Sequence, residues 1–563
     1  MSNDTNLQEI LSGGTGLRRL DGRDARRANF RAGRALAEIV ETTLGPRGLD
    51  KLLLTSEGKA VVTNDGASIV DRMSIDHPAA KAIVQVANQQ QSFARDGTTS
   101  AIVIAGELLR RAEALIEEGV HPTSIAQGYH LAAQRTRETL REQAIPVDPD
   151  DDRQLRDVAK TVVTGKWDDD ASEFLAANAV DAVLAIERDG TVDFRRITRT
   201  AIPGRSYYDS ELVEGLVVDT DSSSTTAVSP EAALPRTFEN ATVALVDNQL
   251  TIETVEGQGA VTPGGPEQLQ AFREYEREVY ERYVDRIVDA GATVVFCQKS
   301  IDDPIRYLLA DEGILAVERT RQDELHKLGR TTGARPVGTV DDLQAEDVGR
   351  ARRVERRDVG PTELAIVVGE DDVRQVSLIL RGGTQHVADE TKRVIDSCFH
   401  VLKHALEDGL VLPGGAAAEV HVANDLRDYA ASVSGREQLA IEAFADALEV
   451  IPRTLASTAG HDPIDVLTEL RARHHGGDLT AGLVLETGAA DDMIARGVIE
   501  PLVVREHAIV AASEAANVLI RVDDVITSTH AGDDEDHDHD HDHDRGHGDL
   551  VESPHGYPWA IGH

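Results

Sequence analysis

Apolar residues recur at helical spacing within residues 98–109, at Ile102, Val103, Leu108 and Leu109. This periodicity predicts a helix that begins directly after a short glycine- and hydroxyl-containing turn. Helical runs also dominate both ends of the chain, whereas its middle mixes helical and strand-like runs. A chain of 563 residues is too long for one hydrophobic core. We therefore predict a multidomain protein of α and α/β character.

The turn before this helix has the chemistry of a phosphate cradle, with Asp96, Gly97, Thr98, Thr99 and Ser100 in sequence. The free N–H groups and the dipole of a helix start attract an anion, and the hydroxyls flank it. The Asp96 carboxylate offers the hard oxygen that Mg²⁺ prefers. The same residues also suit an ordinary helix cap, so this motif by itself leaves both interpretations open.

Two further glycine-containing loops precede the cradle. Residues 42–48 (TTLGPRG) follow an amphipathic helix and end it with Gly and Pro, and residues 63–68 (TNDGAS) lie between short β-rich runs. Taken singly, the first loop is most simply a helix stop and the second a hairpin turn. Their order and spacing relative to the cradle are more informative than either loop alone.

In this order, TTLGPRG, TNDGAS, residues 77–81 (HPAAK) and DGTTS resemble the chaperonins, specifically the group II thermosome subunits of archaea. The resemblance extends over residues 18–528. Beyond the cradle, further segments within this range carry it. These are residues 295–299 (VFCQK), 313–317 (GILAV), 380–384 (LRGGT), 413–415 (PGG), 451–455 (IPRTL) and 497–501 (GVIEP). The chain contains no Walker A motif, which agrees with a chaperonin nucleotide site.

The resemblance implies three domains and a disordered tail. The expected division is an equatorial ATP-binding domain of residues 1–144 and 397–528, an intermediate domain of 145–210 and 358–396, an apical substrate-binding domain of 211–357, and a His/Asp-rich tail of 529–563. The equatorial domain should be mostly helical, and the apical domain should be α/β. A helical protrusion over residues 247–286 should serve as a lid, with its long helix starting at Pro266.

The resemblance also implies a set of functional residues. ATP and Mg²⁺ are the expected cofactors, with Asp96 as metal ligand, Asp65 orienting the attacking water and Lys166 sensing the γ-phosphate. The remaining nucleotide contacts are expected from Leu44, Gly45, Pro46, Gly97, Thr98, Thr99, Ser100, Gly414, Gly415 and Glu500.

One catalytic position departs from the family pattern. An Asp is expected twelve residues before Gly409, and this chain has Ser397 there. Asp396 cannot simply replace it, because one helical step rotates a side chain by about 100°. The periodicity places Asp396 on a polar face, so we expect it to face solvent, whereas Ser397 lies between apolar residues. Since a serine hydroxyl is a poor base for water, ATP hydrolysis is predicted to be slow or absent, and whether the chain is an ATPase stays open.

A second departure lies just before the cradle, where the family usually has a glycine and this chain has Arg95. Arg95 could crowd the backbone turn, or its guanidinium could bind a phosphate and favour retained nucleotide. The residues alone do not choose between these alternatives.

The composition of the chain limits the classes of partner that it is expected to bind. The net charge is −41, with 99 acidic and 58 basic residues, and few of the basic residues are lysine. Such a surface is tolerable where salt screens it, since the Debye length is about 3 Å at 1 M, and it suggests a salt-rich cytoplasm rather than a merely acidic mesophile. Nucleic acid is not expected to bind, because no basic stripe exists.

Cys297 and Cys398 are expected to be buried and unpaired. The chain also lacks a signal pattern or membrane-spanning run, so a cytoplasmic protein is expected.

The expected partners are non-native polypeptides and other thermosome subunits in an eight- or nine-membered double ring. Two functions are considered: an ATP-dependent chaperone subunit, and a structural or regulatory subunit of a hetero-oligomer that binds ATP without turnover. A homomeric ring is the alternative assembly. Alternating His and Asp residues in the tail could bind transition metals weakly, or they could form an acidic, salt-adapted tail.

Overall fold

The computed structural model of this chain describes most of its length. The described residues are 20–54, 60–165, 167–220, 234–252, 266–360, 362–370 and 374–525. Lys166 and the tail of residues 529–563 lie outside them.

The helices of the described residues are numbered in chain order. They are α1 (Gly22–Glu41), α2 (Gly66–Asp71), α3 (Pro78–Ala94), α4 (Thr98–Glu117), α5 (Pro122–Gln143), α6 (Asp152–Val163), α7 (Asp169–Ile186), α8 (Pro266–Asp289), α9 (Asp303–Asp311), α10 (Gln322–Thr332), α11 (Gln385–Asp408), α12 (Ala417–Ala430), α13 (Glu437–Leu448), α14 (Val450–Thr458), α15 (Pro463–His475) and α16 (Leu502–Arg521).

The strands of the same residues are mostly short. They are β1 (Leu20–Asp21), β2 (Lys51–Leu54), β3 (Ala60–Thr63), β4 (Ile145–Pro146), β5 (Ile197–Pro203), β6 (Glu211–Glu214), β7 (Leu216–Thr220), β8 (Thr237–Val246), β9 (Val294–Cys297), β10 (Leu315–Val317), β11 (Gly349–Val359), β12 (Thr362–Val368), β13 (Val376–Gly382), β14 (Leu410–Pro413), β15 (Ala481–Leu483), β16 (Ala490–Asp492), β17 (Ile499–Pro501) and β18 (Asp524–Val525).

Helices from both ends of the chain share one hydrophobic core. Helix α4 packs against α1, α3, α13 and α16, and its apolar positions are almost fully buried. Tyr129 and Phe444 meet edge to face in this core, with ring centroids 5.6 Å apart, and the Tyr129 hydroxyl donates to the Leu108 carbonyl. The predicted helix after DGTTS and the helical character of the two ends are therefore confirmed.

The middle of the chain contains a six-stranded mixed sheet in the order β10-β9-β8-β11-β12-β7. Strands β8, β9 and β10 are parallel, and the remaining neighbours are antiparallel. Helices α8 and α9 contribute to the core on one face, and α10 contributes to the core on the other. This arrangement confirms the predicted α/β middle, and α8 begins at Pro266 as expected.

A smaller sheet, in the order β5-β13-β6, lies between the helical part and the large sheet. One face packs on α6, α7 and α11, and the other packs on β7 and β12. Strand β12 pairs with β7 and β11, so residues 362–368 of the expected segment 358–396 form a strand of the large sheet. The expected boundary at 396/397 falls inside α11, so this helix connects two of the proposed domains.

Both cysteines are buried and free, as predicted. Cys297 lies in the core beneath the large sheet, and Cys398 lies in the core beneath the small one.

The close contact of α1 with α4 yields a stability test. An added Cβ on Gly106 would lie 2.3 Å from the Ala37 Cβ. Gly106→Ala should therefore lower the free energy of unfolding by about 1–3 kcal/mol through overpacking, measured as a shift in the denaturant midpoint.

The double variant Gly106→Ala/Ala37→Gly moves the methyl group from one helix to the other. It should be more stable than the sum of the two single changes predicts. Simple additivity would show that this contact does not limit the packing of the two helices.

Candidate nucleotide site

The start of α4 forms the centre of the site. Gly97 has a left-handed backbone (φ 74°) and provides no side-chain cap, which leaves the first-turn N–H groups available to an anion. Asp96 Oδ1 accepts from the Gly97 N–H at 2.8 Å, and Thr98 Oγ1 donates to Gln91 Oε1 at 3.2 Å. The loop therefore has the geometry of a cradle rather than that of a side-chain-capped helix.

Asp65 lies beside this cradle. It caps α2 through Oδ2, which accepts from the N–H and hydroxyl of Ser68, so residues 63–68 join a strand to a helix and are not a hairpin turn. An added Cβ on Gly66 would lie 2.5 Å from Thr99 Oγ1. The Arg393 guanidinium lies 3.6 Å from Asp65 Oδ1. This contact places a cation next to the carboxylate expected to orient water.

The loop of residues 42–48 approaches the segment that ends in Lys166. Gly45 is left-handed (φ 79°), and an added Cβ there would lie 2.3 Å from the Leu455 side chain. An added Cβ on Gly165 would lie 2.2 Å from the Pro46 carbonyl oxygen. Leu44, beside Gly45, is buried. These close contacts bring the predicted loop of Leu44, Gly45 and Pro46 to the residue before Lys166.

The last predicted group joins β14 to β17. Gly415 is left-handed, and the Gly414 N–H donates to the Val498 carbonyl. An added Cβ on Gly414 would lie 3.3 Å from Glu500 Oε1. Gly414, Gly415 and Glu500, which the resemblance assigns to the nucleotide, therefore lie close together.

Sequence reasoning missed a buried arginine, Arg505, that connects this group to the cradle. Its guanidinium lies 3.1 Å from Glu419 Oε1, donates to Glu500 and lies 3.3 Å from the Ser100 hydroxyl. Burial raises the pKa of Glu500. Burial also opposes the charged form of Arg505, but Glu419 and Glu500 raise its pKa overall. A single arginine after the apolar run Leu-Val-Val was the available sequence signal.

Ser397 occupies the apolar side of α11, as predicted, and is only 5% exposed. Its hydroxyl donates to the Arg95 carbonyl at 3.1 Å and lies 3.4 Å from the Arg393 carbonyl. The residue expected to be a carboxylate is therefore a neutral donor to the turn that precedes the cradle.

The prediction that Asp396 faces solvent is wrong. Its side chain is 15% exposed, and its Oδ1 lies 2.7 Å from an Arg199 guanidinium nitrogen. Arg95 is 3.8 Å from the other oxygen. Strand β5 packs over this part of α11, so the polar face of the helix meets charged residues of another segment rather than water.

Arg95 ends α3 in the left-handed conformation (φ 52°), which glycine adopts more easily than arginine. The turn is thus formed despite the large side chain, at some backbone strain. The guanidinium extends towards Asp396.

The donor set around the cradle suits Mg²⁺. This ion keeps several waters and usually binds one or two carboxylates together with phosphate oxygens, so Asp96 near the hydroxyls of the first turn is sufficient. Among the residues that the structure describes, no cluster of three or more His, Cys, Asp or Glu could hold a metal by itself.

Comparison with known proteins identifies the family. Residues 36–530 match the TCP-1/cpn60 chaperonin family. The chain belongs to this family. It is 47% identical to a thermosome subunit of Methanopyrus kandleri over 525 residues, which cover 92% of this chain and 95% of the relative. It is 46% identical to thermosome subunit alpha of Halobacterium salinarum, over 91% of this chain and 90% of that one.

A solved chaperonin structure agrees with this assignment. The open-state monomer of a group II chaperonin from Methanococcoides burtonii is 38% identical and matches with a TM-score of 0.59. The match covers 76% of this chain and all of the other. The protein is thus a group II chaperonin subunit with a multidomain α and α/β architecture, as the sequence motifs predicted. In its described part, none of the helices has the length and apolar character needed to cross a bilayer.

The buried charges of the chaperonin site yield a stability prediction. Arg505→Met leaves the buried Glu419 without its cation, and the free energy of unfolding should fall by about 3–5 kcal/mol. The denaturant midpoint at fixed salt measures this change. Arg505→Met/Glu419→Gln should regain part of the loss, and an unchanged midpoint in the single variant would contradict the assigned pairing.

A second prediction concerns pH. Burial lowers the pKa of His400 to about 4, with Arg95 acting in the same direction. The unfolded chain therefore binds a proton that the folded chain does not, and this histidine reduces stability as the pH falls from about 6.5 towards 4.

His400→Gln should make the melting temperature less dependent on pH over this range. The exposed His130→Gln is the matched control and should follow the parent. An equal pH dependence in all three proteins would exclude His400 as a contributor.

Proposed function

We propose that this chaperonin subunit binds Mg-ATP at the cradle, assembles with other thermosome subunits into a double ring that encloses non-native polypeptides, and hydrolyses its own ATP slowly or not at all. The contact between Ser397 and the Arg95 carbonyl carries the last part of this proposal. A hydroxyl that donates to a carbonyl has no negative charge with which to activate water.

The neighbouring carboxylates do not replace the missing base. Both oxygens of Asp396 face arginines, with Arg199 2.7 Å from one and Arg95 3.8 Å from the other, so this carboxylate is engaged in ion pairs. Asp65 uses one oxygen to cap α2 and has Arg393 beside the other. The site therefore retains groups suited to holding a nucleotide, whereas the carboxylates that could activate water are engaged with other groups of the protein.

The remaining assignments follow from the family and the geometry. Asp96 would hold Mg²⁺, and residues 97–100 would hold the phosphates. Leu44, Gly45, Pro46, Gly414, Gly415 and Glu500 would surround the rest of the nucleotide, and Lys166 would sense the γ-phosphate. When bound, Mg²⁺ would neutralise phosphate charge and orient the triphosphate.

The leading alternative is a regulatory subunit of a hetero-oligomer. Ring closure is a collective transition, so a subunit without turnover can still bias it through the energy of nucleotide binding. The contacts of Ser397 and Asp396 favour this role over that of an ordinary ATPase subunit.

The net charge of −41 supports work in a salt-rich cytoplasm, and a similar chain occurs in Halobacterium salinarum. Weak metal binding by the tail would be a separate property.

Phosphate release by the assembled chain in molar KCl with Mg-ATP tests the proposal, alongside direct measurement of nucleotide affinity. The parent should bind ATP but turn over roughly 10²-fold or more below a subunit that retains the base. Ordinary turnover by the parent would overturn the slow-hydrolysis proposal, and failure to bind nucleotide would overturn the binding proposal.

Ser397→Asp should raise turnover, and Ser397→Asn, which has the same shape without the charge, should not. An aspartate at 397 would face the Arg95 carbonyl oxygen that now accepts from the serine. We therefore expect the larger recovery in Ser397→Asp/Arg95→Gly, where the turn can relax. Equal rates for the Asp and Asn variants in both backgrounds would show that a missing carboxylate is not the cause.

A further inference from the structure

Gln90 is a buried amide that lies next to the cradle. Gln90 lies near the end of α3 and is completely inaccessible to solvent. Burial of an amide is costly unless its polar atoms find partners. Gln90 satisfies this requirement through contacts with two other segments.

The Gln90 amide makes three hydrogen bonds. Nε2 donates to the Asp96 carbonyl at 2.7 Å and to the Val504 carbonyl at 3.2 Å. Oε1 lies 2.6 Å from His507 Nδ1. Carbonyl oxygens can only accept hydrogen bonds, so the amide nitrogen must face both of them and the amide orientation is fixed. Since Oε1 is then an acceptor, His507 must carry its hydrogen on Nδ1.

These bonds connect the cradle to α16. An added Cβ on Gly97 would lie 3.0 Å from Gln90 Nε2, so the amide is packed directly against the peptide that opens α4. Helix α16 contacts the cradle a second time, through Arg505 and the Ser100 hydroxyl. His507 also stacks on Phe93, with ring centroids 4.4 Å apart.

We propose that Gln90 is a positioning residue for the nucleotide. It fixes the Asp96 carbonyl relative to α16, and thereby aims the first N–H groups of α4 and the Asp96 side chain at the phosphates and their metal ion. This inference rests on the proposed nucleotide binding at the cradle. Gln90 would thereby control nucleotide affinity through the backbone of the cradle.

The chain supplies a matched control in Gln89, the same residue one position earlier on the same helix, where it is exposed. Gln90→Leu removes both donors to the carbonyls and should weaken binding of a fluorescent ATP analogue with Mg²⁺ by about tenfold. Gln89→Leu should bind as the parent does. The measurement uses the full-length assembled chain in molar KCl.

Gln90→Glu separates positioning from simple packing, since it preserves the shape. An ionised glutamate presents oxygen to the Asp96 and Val504 carbonyls, whereas a protonated one can donate to one of them. In either form at least one of the two donated bonds is lost, so affinity at a fixed pH should be lower in this variant than in Gln89→Glu.

The outcomes are distinguishable. If the parent does not bind the analogue, the proposed nucleotide binding fails. If the parent binds but the Gln90 and Gln89 variants have equal affinities, only the positioning role of Gln90 is overturned. If Gln90→Leu does not assemble, the isosteric Gln90→Glu decides by its affinity relative to Gln89→Glu.

Discussion

Helix α4 is buried by helices from both ends of the chain, and this packing constrains everything around its first turn. Helices α1 and α3 reach it from the N-terminal part, and α13 and α16 from the C-terminal part. Its N–H groups are therefore held in a fixed direction at the surface of a rigid core. The loops that approach this turn can differ in sequence, but each must fit a helix start that cannot move independently of the core.

Buried ion pairs supply a second constraint in a chain with a large excess of acidic residues. Glu449 is fully buried and is paired with Arg427, Arg453 and Arg471, and Arg505 joins Glu419 to Glu500. Salt screens exposed pairs strongly but buried pairs much less. Arginines of this kind can therefore maintain specific contacts inside the protein under conditions in which the acidic surface is screened.

Nucleotide binding and nucleotide hydrolysis depend on different parts of the proposed site. Backbone N–H groups, hydroxyls and Asp96 can bind and orient a metal-bound triphosphate, whereas turnover requires a carboxylate that can activate water. In the proposed function, the contacts of Ser397 and Asp396 bear on the second requirement. A subunit of this kind can contribute binding energy to a collective ring transition without contributing turnover.

Local sequence patterns determined the start of α4 and the position of Ser397 on the apolar side of its helix. Each of these depends on residues close in the chain. The ion pairs of Asp396, the contacts of Arg505 and the bonds of Gln90 join segments that are up to several hundred residues apart. Periodicity distinguishes a polar helical face from an apolar one, but only the tertiary structure decides whether that polar face meets water or, as with Asp396 and Arg199, the charge of another segment.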